Sequence, residues 1–161
     1  MKPITCTRCG TVMGPKQQKS HRYTASGLDN VVLVGVDVRT CPNCGNESVA
    51  IPRISELHKK LAQAVAEQAE KLVPGEVRFL RKYLGWSGVD FARYAGVTPE
   101  TVSRWENGAH VMGPVSERLL RLCALKMDPV DDYSVLGKMA TEEPQAREIR
   151  LTITTEWKAA G

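Results

Sequence analysis

Residues 87–108, SGVDFARYAGVTPETVSRWENG, predict two short helices joined by a tight turn. Ser87 can cap the first helix, because its hydroxyl accepts a hydrogen bond from a backbone N–H that has no partner inside the helix. Gly96 supplies a residue that adopts the left-handed conformation at low cost and so ends this helix. Thr98 and Pro99 then begin the second helix as its N-cap and its first residue.

The two sides of the predicted second helix differ in chemistry. Val102 and Trp105 lie three residues apart and are expected to point into the core. Glu100, Arg104 and Asn107 follow spacings of four and three residues, so we expect them to share the opposite side. An ordinary helical hairpin needs no such polar row, whereas a helix-turn-helix presents one to the major groove of DNA. The pattern therefore favours double-stranded DNA as a partner.

Seven side chains of this segment are candidates for contact with DNA. Arg104 can offer two donors to guanine O6 and N7, Glu100 can accept from cytosine N4, and Asn107 can bind adenine or a phosphate. The four serine and threonine hydroxyl groups of the segment can contact phosphates or thymine methyl groups, one of them from the N-terminus of the first helix. The predicted DNA-binding residues are Ser87, Thr98, Glu100, Thr101, Ser103, Arg104 and Asn107.

Four of the 5 cysteines fall into two matched pairs, in the sequences CTRCG and CPNCG. A gap of two residues lets one tight turn present two thiolates to one ion, and the following glycine gives the backbone the freedom to complete the turn. Two such turns brought together form the closed tetrahedral site of four sulfurs that structural zinc prefers. We therefore predict that Zn²⁺ is bound by Cys6, Cys9, Cys41 and Cys44.

Three alternatives to structural zinc differ in what else they require. A redox pair would normally lie in a βαβ unit and would need no second pair. The spacing is also that of rubredoxin iron sites, although Tyr23 is the sole aromatic residue between the first and last of these cysteines. A catalytic zinc would keep one position for water, whereas four cysteines close the coordination shell. Zinc is favoured, and iron stays open as the alternative metal.

Between the cysteine pairs, residues 21–25 and 31–39 predict two strands of a hairpin that returns the chain to the second pair. Residues 54–72 predict an amphipathic helix, which packs on this module or forms a groove for a partner. So small a module has too little core to fold alone, and metal binding is expected to supply the missing stability. We expect His21 to be a surface strand residue and His58 to be exposed.

Val73-Pro74-Gly75 interrupts the helical pattern and predicts a domain boundary. The predicted fold class is α+β. A zinc-knuckle β module with its connecting helix occupies residues 1–73, and a C-terminal extension spans 129–161. Between them, residues 74–128 form an all-α helix-turn-helix domain, which resembles the Xre/Cro type in Phe91-Ala92, Ala95-Gly96-Val97 and residues 101–108. In the extension, the alternation of Ile149, Leu151 and Ile153 is typical of a strand, and an unstructured tail is the equally weighted alternative.

Two further helices are predicted in the second domain. Residues 76–85 form the first, with Arg78, Arg81 and Lys82 mostly on a solvated face. Pro114 begins the last helix, which runs to about residue 127 and turns four side chains inward, those of Val115, Leu119, Leu122 and Cys123. We expect Cys123 to be a small core residue rather than a reactive thiol.

Charge and missing motifs exclude several classes of protein. The net charge of +4 is low for a protein that coats nucleic acid without specificity, and it suits a few cations placed against phosphates. The sequence has no long apolar run, and MKPITCTRCG lacks a hydrophobic signal core, so we expect a cytoplasmic protein and no membrane partner. HExxH, GxSxG and Walker motifs are missing, and the 3 histidines are scattered, so we expect no enzyme.

A four-cysteine module, a connecting helix and an Xre/Cro-type helix-turn-helix in one short chain resemble the MqsA family of antitoxins, whose N-terminal module is also called a YgiT-type zinc finger. The resemblance covers about residues 4–128 and rests on the four cysteines and on Ser103-Arg104-Trp105-Glu106. It implies a structural zinc, a dimer that represses its own operon, and a ribonuclease toxin of the MqsR type as a partner of the zinc module. Arg104 matches a base-contacting arginine of that family.

The sequence thus predicts a dimeric, sequence-specific DNA-binding repressor of the MqsA type. A two-fold dimer would place one helix in each of two successive major grooves, about 34 Å apart. Glu100 stands where a member of the family has an asparagine, so the operator sequence cannot be transferred. The alternative function is that of a zinc-ribbon protein–protein adaptor without specific DNA binding.

Overall fold

The computed structural model describes residues 3–126 and the backbone of two short strands, Leu151–Ile153 and Trp157–Ala159. The chain forms two compact units, Met1–Asp131 and Asp132–Gly161. The first unit contains a small antiparallel sheet followed by five helices, so the predicted α+β class is confirmed.

Three strands form the sheet of the first unit: β1 (Gln17–Arg22), β2 (Val32–Thr40) and β3 (Glu47–Ala50), in the order β1-β2-β3. The predicted hairpin is present, but its first strand begins and ends earlier than predicted. A 3-10 turn at Thr24–Ser26 ends that strand, and the neighbouring Tyr23 turns inward to 6% exposure. The third strand was not predicted. It follows the second cysteine pair directly, and Val49 pairs with Val38 of β2.

The helices are α1 (Ile54–Glu67), α2 (Pro74–Tyr83), α3 (Gly88–Ala95), α4 (Pro99–Glu106) and α5 (Pro114–Lys126). The prediction for α1 was too long, because Gln68 leaves the helical conformation at φ −59 and ψ 148. In α2, Pro74 occupies the beginning of the helix, where a missing N–H costs nothing. The other three helices lie where the capping residues predict them.

The connection between α1 and α2 is held by side chains from α5. Leu72 N–H donates to Glu117 Oε1 at 3.2 Å, and the buried Glu117 also accepts from Arg121. Arg121 in turn donates to three backbone carbonyl groups at the end of α1 and in this connection, those of Ala66, Gln68 and Glu70. Since α1 also packs against α2 and α5, the predicted boundary at residue 73 lies within one compact unit. The division into two domains stays a prediction.

The tip of the β1–β2 hairpin packs against the helices through two buried side chains, Tyr23 and Leu28. The Tyr23 hydroxyl lies 2.9 Å from His58 Nε2, and the His58 ring meets the Phe79 ring edge-on at 6.4 Å between centroids. The prediction that His58 is exposed was therefore wrong, since it is half-buried. His21 lies in β1 as predicted.

The helical core is built around Phe91, Leu80, Leu84, Leu120 and Val102, and Cys123 is buried beside it as predicted. The predicted inner face of α5 was partly wrong, because Val115 is 79% and Leu122 is 56% exposed. The helix is rotated so that Glu117 and Arg121 reach the α1–α2 connection. Leu120, Cys123 and Ala124 consequently form its buried face.

A cluster of charged side chains joins α2 to the end of α4. Arg81 pairs with both carboxylate oxygens of Glu106 through its Nε and Nη2 donors, and the two side chains are 12% and 10% exposed. Arg81 also donates to the Trp86 carbonyl at 2.7 Å, and Arg78 Nε lies 3.3 Å from Glu106 Oε2. Burial opposes the charge of Glu106, but the two arginines outweigh it and hold the pKa of this carboxyl below its ordinary value. Arg81 is thus a structural residue and not part of a solvated face.

In the second unit, Leu151–Ile153 (β4) pairs antiparallel with Trp157–Ala159 (β5). Leu151 and Ile153 lie in the predicted strand, while Ile149 and most of the predicted extension at 129–161 lie outside the described residues.

Replacing Glu106 with glutamine should destabilise the protein by about 2 kcal/mol at pH 7, because hydrogen bonds to a charged partner are lost and Arg81 stays buried without an anion. The carboxyl has its pKa lowered in the folded state, so its stabilisation is present above the unfolded pKa and is lost as the pH falls. The difference in the free energy of unfolding between wild type and variant, measured with urea, should therefore become smaller below about pH 4.

A matched control is Glu56→Gln, since Glu56 forms an exposed ion pair with Arg53 on α1. This change should alter the free energy of unfolding by less than about 0.5 kcal/mol. Equal effects of the two substitutions would contradict the structural role of the Glu106 cluster.

Candidate metal centre and nucleic-acid interface

The two cysteine pairs form turns of matching geometry. In the first, the Gly10 N–H donates to the Cys6 carbonyl at 2.9 Å, and in the second the Gly45 N–H donates to the Cys41 carbonyl at 3.0 Å. Both glycines have a left-handed backbone, with φ of 74 and 70, which a side chain would strain. Sequence and structure therefore agree on why a glycine follows each pair.

The structure brings the four predicted metal ligands together, because the β1–β2 hairpin returns the chain from the first turn to the second. Their sulfur atoms all lie within 4.8 Å of one another. Sγ of Cys6 lies 3.6 Å from Sγ of Cys44, and Sγ of Cys9 lies 3.5 Å from Sγ of Cys41. A tetrahedral site with metal–sulfur bonds of about 2.3 Å separates sulfurs by about 3.8 Å. The cluster therefore fits one tetrahedral ion, and these distances do not choose between zinc and iron.

The surroundings of this cluster shift the pKa values of its thiols in opposite directions. The Thr11 hydroxyl and backbone N–H lower the pKa of Cys9 to about 6, and the Arg8 N–H is the main cause that lowers the pKa of Cys6. The Asn46 N–H favours the Cys44 thiolate, yet its contacts with the other sulfurs, together with burial, raise the pKa of Cys44 to about 12. Four thiolates at this distance repel one another, and a divalent cation would supply the missing charge.

The helix-turn-helix is capped as its sequence predicts. The Ser87 hydroxyl accepts from the Asp90 N–H at 3.0 Å, and the Thr98 hydroxyl accepts from the Thr101 N–H at 3.3 Å. Gly96 has φ 66 at the turn between α3 and α4. These local interactions set the angle at which α4 leaves α3.

Helix α4 has one buried and one exposed side. Val102 and Trp105 are buried against the core, where the Trp105 ring lies 5.9 Å from the Phe91 ring. We call the exposed row Glu100, Ser103 and Arg104 the reading face. Thr98 and Asn107 flank it at the two ends of the helix and are exposed, whereas Thr101 is half-buried. Asn107 was predicted to belong to the row itself, but the helix ends at Glu106 and Asn107 is its C-cap residue. The contact of these residues with DNA stays a prediction.

The reading face carries a fixed anion beside a cation. The backbone N–H at the helix start, the Thr98 hydroxyl and the nearby Arg104 lower the pKa of Glu100, in that order of importance. Glu100 is therefore ionised near neutral pH and acts only as an acceptor, while Arg104 acts only as a donor.

Ser87 lies at the start of α3, and its hydroxyl is already engaged. Its Oγ donates to Asp90 Oδ2 at 2.6 Å, and its backbone N–H donates to the same oxygen at 3.0 Å. These bonds lower the pKa of Asp90, which carries its negative charge beside the proposed phosphate position. A phosphate at this helix terminus would meet that charge.

Sequence reasoning missed the role of Glu106. One signal was available, because a carboxylate in the last turn of a helix faces the negative end of the helix dipole and calls for a nearby cation. The structure supplies Arg78 and Arg81 from α2, a helix that lies far from Glu106 in sequence. Spacing within α4 could not identify those partners.

Residues 75–132 match a family model described as a helix-turn-helix domain, and the match includes all of α3 and α4. No curated protein matches the chain. Among the described residues, none of the helices combines the length and the apolar character needed to cross a membrane. The chain therefore carries a helix-turn-helix domain preceded by a four-cysteine cluster suited to a metal ion.

Replacing the buried Cys41 with serine should lower the metal content well below the value of about one ion per chain expected for wild type, because a hydroxyl is a poor ligand for a thiolate site. Loss of the ion should also reduce sheet content, since metal binding contributes folding free energy to so small a module. Metal analysis and far-ultraviolet circular dichroism measure the two effects.

Cys123→Ser provides the control, because Cys123 is buried in the helical core and not in the cluster. Its metal content should equal that of wild type. A full complement of metal in Cys41→Ser would contradict the assignment of the site, and a visible thiolate-to-metal absorption band would identify iron in place of zinc.

Proposed function

We propose that the chain is a sequence-specific, DNA-binding transcriptional regulator. The observation that carries this proposal is the exposed, polar reading face on the second helix of a helix-turn-helix. Val102 and Trp105 anchor the opposite side of α4, so the three polar side chains are held clear of the body of the protein. A regulator of this kind needs such a face to meet the edges of base pairs.

In this proposal α4 enters the major groove and α3 crosses the DNA backbone. Arg104 donates to guanine O6 and N7, and the ionised Glu100 accepts from cytosine N4. Thr98 and Thr101, at the start of α4, contact phosphates and set the register of the helix on the duplex.

We further propose that the regulator is a dimer that represses transcription, with the exposed face of α5 at the interface. Val115 and Leu122 lie seven residues apart, which is about two helical turns, and both are largely exposed. Leu119 lies between them on the same side of the helix and is half-buried. Two copies related by a two-fold axis would bury this apolar row between them. Each copy would then present its reading face to one of two successive major grooves.

The metal is proposed to be a structural Zn²⁺ held by the four cysteine thiolates. Such an ion supplies folding free energy and leaves no open position for catalysis, so we propose a regulator and not an enzyme. Cysteines that stay reduced for metal binding agree with action in the cytoplasm.

The zinc module is proposed to bind a protein, in keeping with an antitoxin of the MqsA type and a ribonuclease toxin. β3 pairs only with the last part of β2, residues 37–40, and leaves residues 32–36 without a strand on that side among the described residues. Val34 is 81% exposed there, and a cavity of about 720 Å³ runs past it between Lys16 and Ile51. This open edge can accept an extended segment of a partner. The same feature favours the alternative function, a protein–protein adaptor.

Arg104→Ala should lose about 1–3 kcal/mol of discrimination between the operator and random DNA, because a bidentate base contact disappears. The operator is first selected from randomised duplexes with the wild-type protein, and affinities are then measured by fluorescence anisotropy over a salt series. Lys60→Ala is the control for loss of one positive charge, since Lys60 is exposed on α1, outside the helix-turn-helix. It should leave discrimination unchanged.

Equal losses of Arg104→Ala on operator and random DNA would reject a base contact by Arg104. Salt-dependent wild-type binding that ignores sequence would favour the adaptor over the regulator.

Leu122→Glu should shift the protein from dimer to monomer and weaken operator binding, because charged side chains would face each other across the proposed two-fold axis. Light scattering coupled to size-exclusion chromatography measures the mass. Glu70→Gln is a control outside α5. A Leu122→Glu protein that remains a dimer would place the interface elsewhere.

A further inference from the structure

A relay of hydrogen bonds runs from α2 to the reading face. Arg78 Nη2 donates to Asn107 Oδ1 at 3.0 Å, and Asn107 Nδ2 donates to Ser103 Oγ at 3.3 Å. Asn107 is the C-cap residue of α4, so its side chain lies just beyond the helix and reaches back one turn to Ser103. The relay therefore links a residue of the first helix of the domain to the middle of the reading face.

The direction of this relay follows from the chemistry of its members. A guanidinium has donors and no acceptor, so only the carbonyl oxygen of Asn107 can face Arg78. The amide N–H₂ must then face Ser103, and Ser103 Oγ accepts from it. An accepting hydroxyl still carries its own hydrogen, which is left to donate outward.

Arg78 is itself held in place, so the relay has a fixed origin. Its Nε lies 3.3 Å from Glu106 Oε2, and its Nη2 donates to the Glu106 backbone carbonyl at 3.0 Å. Glu106 is also bound by the nearly buried Arg81. These two contacts with Glu106 orient the guanidinium, even though the Arg78 side chain is 45% exposed.

We propose that Ser103 is a specificity-determining hydrogen-bond donor, oriented by Arg78 through Asn107, that reads an acceptor on a base. The proposal rests on the proposed function. In the major groove the available acceptors are guanine O6 and N7, adenine N7 and thymine O4, whereas the amino groups of cytosine and adenine are donors. Asn107 is then a positioning residue, because its carbonyl and its amide are used inside the protein.

Three substitutions interrupt the relay at different points. Ser103→Ala removes the donor, and Arg78→Met removes the origin of the relay. Asn107→Asp keeps an acceptor for Arg78 but replaces the amide by a carboxylate, so the Ser103 hydrogen turns inward to it. Arg78→Lys keeps a cationic donor toward Asn107 but loses the fork that also binds Glu106, so it is expected to rescue the relay only in part.

The experiment measures the affinity of each full-length variant for the selected operator and for every single-base-pair substitution of it. All three disrupting variants should lose about 2- to 10-fold in preference at one and the same base pair, as expected for one hydrogen bond. Arg78→Lys should lose less of that preference than Arg78→Met. The preference at the base pair read by Arg104 should stay unchanged, which separates loss of the relay from general loss of structure.

Several results would overturn the relay while leaving the regulator intact. If Ser103→Ala lowers the affinity for all DNA sequences by the same factor, Ser103 binds a phosphate and not a base. Relaxed preference at different base pairs in the Ser103 and Asn107 variants would mean that the two act separately. If Arg78→Met does not fold, the comparison of Asn107→Asp with Ser103→Ala still tests whether the two residues act on the same base pair. Wild-type protein without any base-pair preference would reject the proposed function itself, and the relay with it.

Discussion

The ion pairs of Glu106 with Arg81 and Arg78 are the constraint on which the position of α4 depends. A helix of 8 residues has little stability of its own and must be held at both ends. Thr98 caps its start, while the arginines of α2 neutralise the carboxylate and bind a backbone carbonyl at its end. The buried Trp105 prevents rotation between these two points, so the polar side keeps facing outward.

Contacts between residues far apart in sequence also connect the cysteine module to the helices. The module has a small core of its own, in which Met13 packs with the cysteines. It is tied to the helices at the hairpin tip, where Tyr23 meets His58, and the helices are in turn tied together at the α1–α2 connection, where Arg121 of α5 binds backbone carbonyls. These contacts make one compact unit from two patterns that look independent in sequence.

Predictions that rest on neighbouring residues were the reliable ones. The caps at Ser87 and Thr98, the left-handed Gly96 and the two cysteine turns depend on interactions over two to four residues, and the structure contains all of them. Predictions that rest on distant partners failed more often. The outward rotation of Val115 on α5 follows from contacts with a connection far away in sequence, and no periodicity within the helix reveals it.

By itself, the sequence determined the local chemistry: which residues cap α3 and α4, which cysteines pair in each turn, and that Glu100 and Arg104 lie opposite Val102 and Trp105 on α4. These features arise from short-range sterics and hydrogen bonds, which a few adjacent residues settle among themselves. Only the tertiary structure decided that Glu106 of α4 pairs with an arginine of α2, and that Asn107 accepts a hydrogen bond from Arg78. Such pairings depend on which helices meet in space, and that is decided by packing of the whole core.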